Sequence, residues 1–484
     1  MKKKSMATNA IYSILYRTLN IIFPMLTTPY IARILNINDI GNITYSQNIV
    51  NYFIMVANLG LPVYGIRTIA QVRHTYDKRN RVFSELFCIN FISTLGAAFF
   101  YVIYMIIRNQ LGLNNKYFII MSLMVLSNFL NIDWLYQGIE EYRFITIRGI
   151  VLRGIVLCSL FLFVHTSTDK YIYTLILCIP MVIGNIINIV YSRSYITFNL
   201  NNVNLVRHIR PIIYLFTNTI SYELYSKVDI TLLGILCDSS IVGYYSYAQR
   251  IINLAVIGIT SVTVVFLPRL SEYAQTNINK FNYLVSKGFR LLFLIAIPAF
   301  IGIILVSKDL VLILFGDKFN DSVILVQLLS PLIIIKAFQD FGYQILIATN
   351  NEKKIINGYI GALVINLVLD LFLIPCFGAK GAIFATLLGE CFVTSYIIYL
   401  GRKYIKIVNL KPMIKSLFFS NTLMILGIIC LNFLISIMWI RLILDVVIGV
   451  FIYVVVNYIL GNDIVQEICN QIILKIKQKK RTTL

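Results

Sequence analysis

Residues 41–67 read GNITYSQNIVNYFIMVANLGLPVYGIR, and residues 243–269 read GYYSYAQRIINLAVIGITSVTVVFLPR. Each stretch is apolar over at least the roughly 20 residues that a helix needs to cross a bilayer. At an offset of 202 positions the two also share Gly, Gln, Asn and Arg residues, which a bias toward Ile and Tyr does not explain. The shared positions are Gly41, Tyr45, Gln47, Ile49, Asn51, Val63 and Arg67. The pattern predicts a membrane protein with an internal repeat.

Similar apolar stretches occupy most of the chain. Hydrophobic residues make up 58% of the 484 positions, and the mean hydropathy is +0.80. Soluble domains contain about 45–50% apolar residues, so we predict an all-α polytopic membrane protein with about fourteen transmembrane helices. The predicted spans lie near residues 10–33, 42–66, 83–107, 117–137, 147–166, 171–192, 210–236, 241–266, 284–306, 322–349, 355–375, 381–401, 413–436 and 438–460.

The basic residues predict the orientation of these spans. The formal net charge is +21, and about 29 of the 42 Lys and Arg residues fall in one alternating set of loops, against about 8 in the other. Basic loops face the cytoplasm, so both termini are expected there. The excess charge then reports topology and attraction to anionic lipids, and it does not indicate nucleic-acid binding.

The repeat predicts two lobes and an appended segment. Six predicted spans separate the equivalent points, and an even number restores the original orientation, which makes the repeats parallel and places a substrate site between them. The predicted N-lobe is 1–194 and the C-lobe is 209–402. Two further spans follow at 413–461, and a basic amphipathic tail at 462–484 is expected to lie at the membrane surface.

Several predicted spans contain cations. A charged side chain at a helix centre costs from about 2.5 kcal/mol upward, so such residues usually face a bundle interior or a watery cavity and serve a function. Arg250 has no acidic residue at helical spacing on its own helix, which makes it the best candidate ligand for an anion. The intramembrane cations are Arg17, Arg153, Lys227, Arg250 and Lys336.

Acidic residues accompany two of these cations, and they leave two interpretations open. Glu223 stands four residues before Lys227, and Asp340 stands four residues after Lys336, spacings that suit intrahelical ion pairs. Glu223, Asp340 and the neighbouring Asp229 either neutralise the lysines structurally or tune a substrate or ion-coupling site. For Arg17, near the membrane edge, snorkelling to the cytoplasmic interface is the alternative.

The remaining sequence features narrow the class of protein. The chain has no phosphate-binding loop of the G-x-x-x-x-G-K-[ST] type, and its three histidines are too dispersed for a metal cluster. Short loops on the outer side leave a membrane-embedded polysaccharide polymerase or glycosyltransferase as a minor alternative. We therefore expect a transporter without cofactor or metal, not an enzyme. The aromatic residues Trp134 and Tyr136 are expected to anchor a span at the membrane interface.

The opening of the chain resembles a known family. Phe23-Pro24, residues 27–35 (TTPYIARIL), Ile40-Gly41 and residues 58–67 (NLGLPVYGIR) are similar to bacterial polysaccharide-biosynthesis flippases. These are Wzx-type translocases of O-antigen or capsule repeat units, within the multidrug/oligosaccharidyl-lipid/polysaccharide exporter superfamily. The resemblance covers the whole chain in span number and repeat, and its strong motifs lie within 23–67.

The resemblance implies a fold and a substrate. The implied fold has two six-helix lobes in a V that open alternately to either side of the bacterial cytoplasmic membrane. The implied substrate is an undecaprenyl-diphosphate-linked oligosaccharide, whose diphosphate a cationic central cavity would attract. The implied coupling is to an ion gradient or the membrane potential. Expected partners are this lipid-linked glycan, anionic lipids, and a polymerase or other polysaccharide assembly proteins.

An alternative keeps the fold and changes the cargo. A cation-coupled multidrug exporter would favour an acidic pocket, and the membrane-embedded carboxylates keep that reading open. The basic residues on the first, seventh and eighth predicted spans favour the anionic, lipid-linked substrate.

Overall fold

The computed structural model describes residues 22–199, 203–405 and 410–471. Within these ranges the regular structure is helical, without a β-strand. The helices are α1 (22–34), α2 (Ile37–Asn58), α3 (Leu61–Val72), α4 (Tyr76–Gln110), α5 (Lys116–Leu126), α6 (Asp133–Gly138), α7 (Tyr142–Phe163), α8 (Lys170–Ser192), α9 (Val206–Leu236), α10 (Ser239–Val264), α11 (Leu267–Thr276), α12 (Ile278–Phe315), α13 (Asp321–Leu329), α14 (Leu332–Ala348), α15 (Ile355–Phe377), α16 (Ala379–Gly401), α17 (Leu410–Leu434), α18 (Met438–Ile459) and α19 (463–471).

Twelve helical segments in the described ranges are long and apolar enough to cross a membrane, from Ile37–Val72 to Met438–Ile459. They correspond to the second to sixth and the eighth to fourteenth predicted spans. The chain is thus a multi-pass helical membrane protein, as predicted. Most of the first predicted span lies outside the described residues. The seventh corresponds to the continuous helix α9, which is not among the twelve and which carries Glu223, Lys227 and Asp229.

Short breaks interrupt several of the predicted spans, including those of α2–α3 and α13–α14. In the segment Ile37–Val72 the backbone turns through Leu59 and Gly60, whose φ angles of 44° and 75° are left-handed. Helix α3 then starts with Pro62 in its first turn, where a missing N–H group costs nothing. The segment Asp321–Ala348 is divided at Ser330 and Pro331 into α13 and α14.

The chain divides into two compact units, Met1–Gly243 and Tyr244–Leu484. Helix α9, which the repeat assigns to the predicted C-lobe, belongs to the first unit, where it packs on α2 and α3. Hydrogen bonds from Asn48 of α2 contribute to this packing of α9. The boundaries 1–194 and 209–402, and the repeat on which they rest, stay predictions.

Aromatic residues form much of the core of the first unit. Trp134 and Tyr136 are only 2% and 0% exposed, and they pack with Leu61, Ile69 and Phe83. The Trp134 ring lies so close to Gly65 that a Cβ there would come within 2.8 Å of it. The expectation that Trp134 and Tyr136 anchor a span at the membrane interface was therefore wrong.

The second unit includes the start of the predicted tail. Helix α19 buries Ile464 among Leu294, Met413 and Leu417 of α12 and α17. Its acidic residues pair with α12, since Arg290 bonds Asp463 and Lys287 bonds Glu467 at 2.6 Å. The described part of the tail is thus packed against the protein. Residues 472–484, which hold the basic part of the tail, lie outside the described residues.

Candidate functional site

Lys227 and Glu223 form the ion pair that their spacing predicts. The Lys227 Nζ lies 2.5 Å from the Glu223 Oε2, and each side chain is about one-third exposed, at 33% and 32%. The pair therefore sits on a face of α9 that the first unit does not bury. A lysine whose charge is shared with a carboxylate in this way stays within reach of a ligand, and the glutamate controls how much net charge it presents.

Helix α9 is held in place by polar side chains of α2. The Asn48 side-chain amide donates to the Lys227 carbonyl at 3.1 Å and to the Thr231 hydroxyl at 2.8 Å. The Tyr52 hydroxyl lies 2.9 Å from the same Thr231 oxygen. These bonds fix the turn of α9 that carries Lys227. Asn48 stands where the repeat places Arg250, and sequence reasoning did not recognise this positioning role.

The same helix carries Asp229, which faces inward. Asp229 is 3% exposed, whereas Glu223 two turns earlier is about one-third exposed. Its burial therefore sets it apart from the partly exposed Lys227–Glu223 pair. The structure thus gives the two carboxylates of α9 different environments.

Glycines bring α2 close to the junction of α9 and α10. A Cβ on Gly41 would lie 1.6 Å from the Ser239 carbonyl oxygen, and a Cβ on Gly234 would lie 2.1 Å from the Tyr45 ring. The Ser239 hydroxyl also donates to the Asn42 side chain at 2.8 Å. Only glycine allows this approach, which explains why Gly41 interrupts an otherwise bulky helix.

Arg250 lies on α10 within the second unit. Its guanidinium carbon is 4.9 Å from the centroid of the Tyr247 ring, one turn earlier on the same helix. The Tyr247 ring is itself fixed by stacking on Phe319, with centroids 4.6 Å apart and planes at 21°. An aromatic face stabilises the cation without neutralising it. The structure therefore places Arg250, partly buried, on a rigid aromatic support.

Lys336 and Asp340 on α14 have different partners from those that their spacing suggests. The Lys336 ammonium bonds the buried Glu390 on α16, and the Asp340 carboxylate accepts a hydrogen bond from Thr263 on α10. Asp340 thus ties α14 to the helix that carries Arg250. The Lys336 side chain is 28% exposed, whereas that of Glu390 is 5% exposed.

The remaining predicted cations lie apart from this group or outside the described part of the chain. Arg153 is partly buried on α7, which packs on α6 and α8, whereas Lys227 lies on α9. The two cations thus stand on different helices of the first unit. Arg17 precedes residue 22 and lies outside the described residues.

A buried charge cluster at the start of α9 escaped sequence reasoning. Glu85 is fully buried, and it pairs with Arg81 at 3.2 Å, with His208 at 2.9 Å and with Arg207. The Tyr64 hydroxyl lies 2.8 Å from the other His208 ring nitrogen. Burial lowers the pKa of His208, and the hydrogen bond to Glu85 opposes that shift. The cluster fixes the first turn of α9, and only the Arg81–Glu85 spacing signalled it.

The described residues do not contain a group of three or more His, Cys, Asp or Glu side chains that could hold a metal ion. The first unit presents the Lys227–Glu223 pair, and the second unit presents the Lys336–Glu390 pair and Arg250 beside an aromatic ring. Each of these cations is of a type that can bind and release an anion through changes in solvation and charge pairing.

Comparison with known proteins places this chain in a family. The model of the family described as "Polysaccharide biosynthesis protein" matches residues 6–274, more than half of the chain. The chain is 26% identical over 409 residues to a "Putative O-antigen transporter" of Escherichia coli K12, a match that covers 83% of this chain and 97% of the relative.

Two solved structures share the fold. A structure of the lipid II flippase MurJ in an inward closed conformation matches with a TM-score of 0.74 at 15% identity, over 94% of this chain and all of that one. An inward-facing multidrug transporter of the MATE family matches with a TM-score of 0.59 at 13% identity, over 79% and 97% of the two chains. At these identities the two likenesses show the fold alone.

Proposed function

The chain belongs to the polysaccharide biosynthesis protein family, and we propose that it is a flippase for undecaprenyl-diphosphate-linked oligosaccharide repeat units. The substrate would move from the cytoplasmic to the outer leaflet of the bacterial cytoplasmic membrane, for O-antigen or capsule synthesis. The family match carries this proposal, together with the relative named as an O-antigen transporter. A multidrug exporter of the same fold has weaker support, since it rests on a fold likeness without a family match.

Arg250 is the residue that we assign to the diphosphate. A guanidinium stays charged when partly desolvated, and its planar fork can hold two phosphate oxygens at once. The Tyr247 ring lies 4.9 Å from the carbon of that guanidinium. Lys227 and Lys336 would add charge that Glu223 and Glu390 regulate, and Arg17 and Arg153 remain candidates for the same role.

The topology and coupling of the flippase belong to the same proposal. Both termini would lie in the cytoplasm, as the basic loops predict. An ion gradient or the membrane potential would drive transport, with Glu223, Asp229 and Asp340 as the candidate coupling groups. A lipid-linked diphosphate carries negative charge, so an inside-negative membrane potential favours its movement from the cytoplasmic to the outer leaflet.

The test replaces Arg250 in a strain whose surface polysaccharide depends on this protein. We expect Arg250→Ala to abolish export while the protein level in the membrane stays normal. Arg250→Lys should retain part of the activity, because it keeps the charge and loses the fork. The measurement is surface polysaccharide per cell together with membrane protein by immunoblot.

Arg402 supplies a matched control. Its guanidinium lies 4.3 Å from the Tyr399 ring three positions earlier, the same spacing as Arg250 and Tyr247, but it is exposed at the end of α16. Arg402→Ala should leave export unchanged. Normal export by a correctly inserted Arg250→Ala variant would remove Arg250 from the substrate site.

A further inference from the structure

A cavity of about 480 Å³ opens between α7 and α8 in the first unit, and its lining does not include Lys227, Arg250 or Lys336. It lies where α7 begins, at Tyr142, and α8 ends, at Ser192. The distribution of basic loops predicts that these helix ends face the cytoplasm. The cavity is therefore at the level of the inner-leaflet headgroups.

One arginine of this cavity has its charge fixed in place. The two terminal nitrogens of Arg148 bond the two oxygens of Asp133, at 2.9 and 3.0 Å, and the Arg148 side chain is only 10% exposed. Asn188 of α8 bonds both partners, donating to Asp133 at 2.7 Å. Arg148 therefore forms a rigid, compensated floor.

The other arginine is available to a ligand. Arg143 is exposed on the first turn of α7 and lines the cavity, and it makes no ion pair within the part of the chain that the structure describes. Glu141, which also lines the cavity, is only 7% exposed. A single uncompensated cation at the entrance suits a ligand with one negative charge, and Glu141 disfavours a second one.

Aromatic residues make one wall of the cavity. The rings of Phe144 and Tyr191 stack with centroids 3.9 Å apart and planes at 14°. The hydroxyls of Tyr191 and Tyr195 lie 3.2 Å apart, and burial raises the pKa of Tyr195, so its hydroxyl stays protonated and able to donate. Tyrosines at this depth provide an apolar ring beside a polar tip, as the headgroup region requires.

The opposite end of the cavity is aliphatic and open to the surroundings. Ile147, Val151 and Ile187 line it and are 45%, 53% and 37% exposed. In a membrane-spanning pair of helices, such exposed side chains face lipid tails. Apart from Arg148, which is paired with Asp133, the cavity lining changes from charged to aromatic to aliphatic from the cytoplasmic end inward. This is the order of chemical groups along a phospholipid.

We propose that this cavity binds an anionic phospholipid of the inner leaflet, with its phosphodiester on Arg143 and one acyl chain along Ile147, Val151 and Ile187. Basic pockets between transmembrane helices on the cytoplasmic side are suited to such headgroups. The guanidinium of Arg143 holds the phosphate, the tyrosines line the glycerol region, and Glu141 selects for a monoanion. The site does not depend on which glycan the protein carries.

The experiment measures lipid retention by the full-length protein purified in detergent. The probe is phosphatidylglycerol, compared with phosphatidylcholine of the same acyl chains, with bound lipid counted by native mass spectrometry across a titration. We expect phosphatidylglycerol to bind at least tenfold more tightly, and Arg143→Ala to remove about tenfold of that affinity. Arg143→Lys should retain part of it.

Arg269→Ala is the matched control, because Arg269 is an exposed arginine on the basic side of the predicted topology and lies outside the cavity. It should leave phosphatidylglycerol binding unchanged. Val151→Trp fills the aliphatic end without touching Arg143, and it should weaken phosphatidylglycerol binding while leaving the binding of inorganic phosphate unchanged. Size-exclusion chromatography checks that each variant is folded.

Three results would overturn the proposal. Equal binding of the two lipids by the unaltered protein would show that the site does not discriminate between lipids by headgroup charge. Unchanged phosphatidylglycerol binding by folded Arg143→Ala would remove Arg143 from the site. Inorganic phosphate binding that depends on Arg143, with phosphatidylglycerol binding insensitive to both Arg143→Ala and Val151→Trp, would assign the cation to a free phosphate.

Discussion

Helices α2–α3 and α10–α11 come from equivalent stretches of the predicted repeat, yet they bend differently. In the first pair, Leu59 and Gly60 adopt left-handed backbone angles before α3 begins at Leu61-Pro62. In the second pair, Phe266 keeps right-handed helical angles, φ −77° and ψ −27°, before α11 begins at Leu267-Pro268. The Leu-Pro start is offset by 206 positions instead of 202, which is about one helical turn later.

This difference shows what the sharper bend in the first pair allows. A Cβ on Gly60 would lie 2.9 Å from the Phe216 backbone nitrogen, so the glycine lets α9 approach the turn closely. The polar side chains differ in the same sense. The Asn48 side-chain amide donates hydrogen bonds to α9, whereas Arg250, at the position that the predicted repeat makes equivalent, places its guanidinium beside an aromatic ring. Within the predicted repeat, the first stretch thus packs a helix, and the second stretch carries a candidate ligand.

The largest effect on the amount of folded protein is expected at Gly41, where the first stretch of the predicted repeat packs most closely against its neighbours. Gly41→Ala should reduce the amount of folded protein in the membrane severalfold, because the new Cβ would lie 1.6 Å from the Ser239 carbonyl oxygen and the backbone must move. Gly243→Ala should cost less, since its nearest atom, the Ile37 carbonyl oxygen, is 2.8 Å away. Fluorescence-detected size-exclusion chromatography with thermal challenge measures both.

Gly258 on α10 is the control for this pair. No atom lies within 4 Å of a Cβ built there, so Gly258→Ala should be neutral or stabilising by about 0.5–1 kcal/mol through helix propensity. Equal melting temperatures for the Gly41 and Gly258 variants would show that the close approach of α2 is not needed.

The next largest effect concerns the buried pair on α14 and α16. Glu390→Gln should destabilise the second unit by about 3 kcal/mol, because it leaves the Lys336 ammonium without its carboxylate. The double variant Lys336→Met with Glu390→Leu should regain most of that stability. If Lys336 also serves the substrate, the double variant will be stable and defective in export. A stable double variant that exports normally would make the pair purely structural.

An intermediate effect is expected from the side chains that fix α9. Asn48→Ala removes both bonds to α9 and should cost about 1–3 kcal/mol, whereas Tyr52→Phe removes one bond and should cost about 1 kcal/mol. Thermal unfolding of the purified protein measures each. An Asn48→Ala variant no less stable than Tyr52→Phe would contradict the positioning role.

These elements also show how far the sequence could take the interpretation. Apolar length predicted the spans well, because membrane crossing is a property of about 20 consecutive residues. The Glu223–Lys227 pair was predicted for the same local reason, since residues four apart share a helical face. The bend at Leu59 and Gly60 depends on what packs beside it, which local sequence does not state.

The spacing of residues along one helix could not predict ion-pair and packing partners that lie on other helices. Spacing offered Asp340 to Lys336, and the structure gave the lysine Glu390 instead, 54 positions away. The burial of Trp134 similarly depends on the glycine at position 65. Contacts of this kind are set by tertiary packing, and a single sequence carries no signal for them.

The smallest effect on stability, and the most informative about the site, is expected at Glu223. Its pair with Lys227 is about one-third exposed on both sides, so Glu223→Gln should change the free energy of unfolding by less than about 1 kcal/mol. The substitution keeps the shape and leaves the Lys227 charge uncompensated. If Lys227 contacts the diphosphate, the substrate should then bind more tightly and leave more slowly, which lowers export at saturating substrate and raises apparent affinity.

Lys227→Met should instead weaken binding, and the double variant should resemble Lys227→Met, because the glutamate acts through the lysine. Binding of a fluorescent lipid diphosphate to protein in nanodiscs, combined with export in cells, separates the two quantities. Identical behaviour of all three variants and the unaltered protein would assign the pair to packing, and the comparison would then leave Arg250 as the ligand to test.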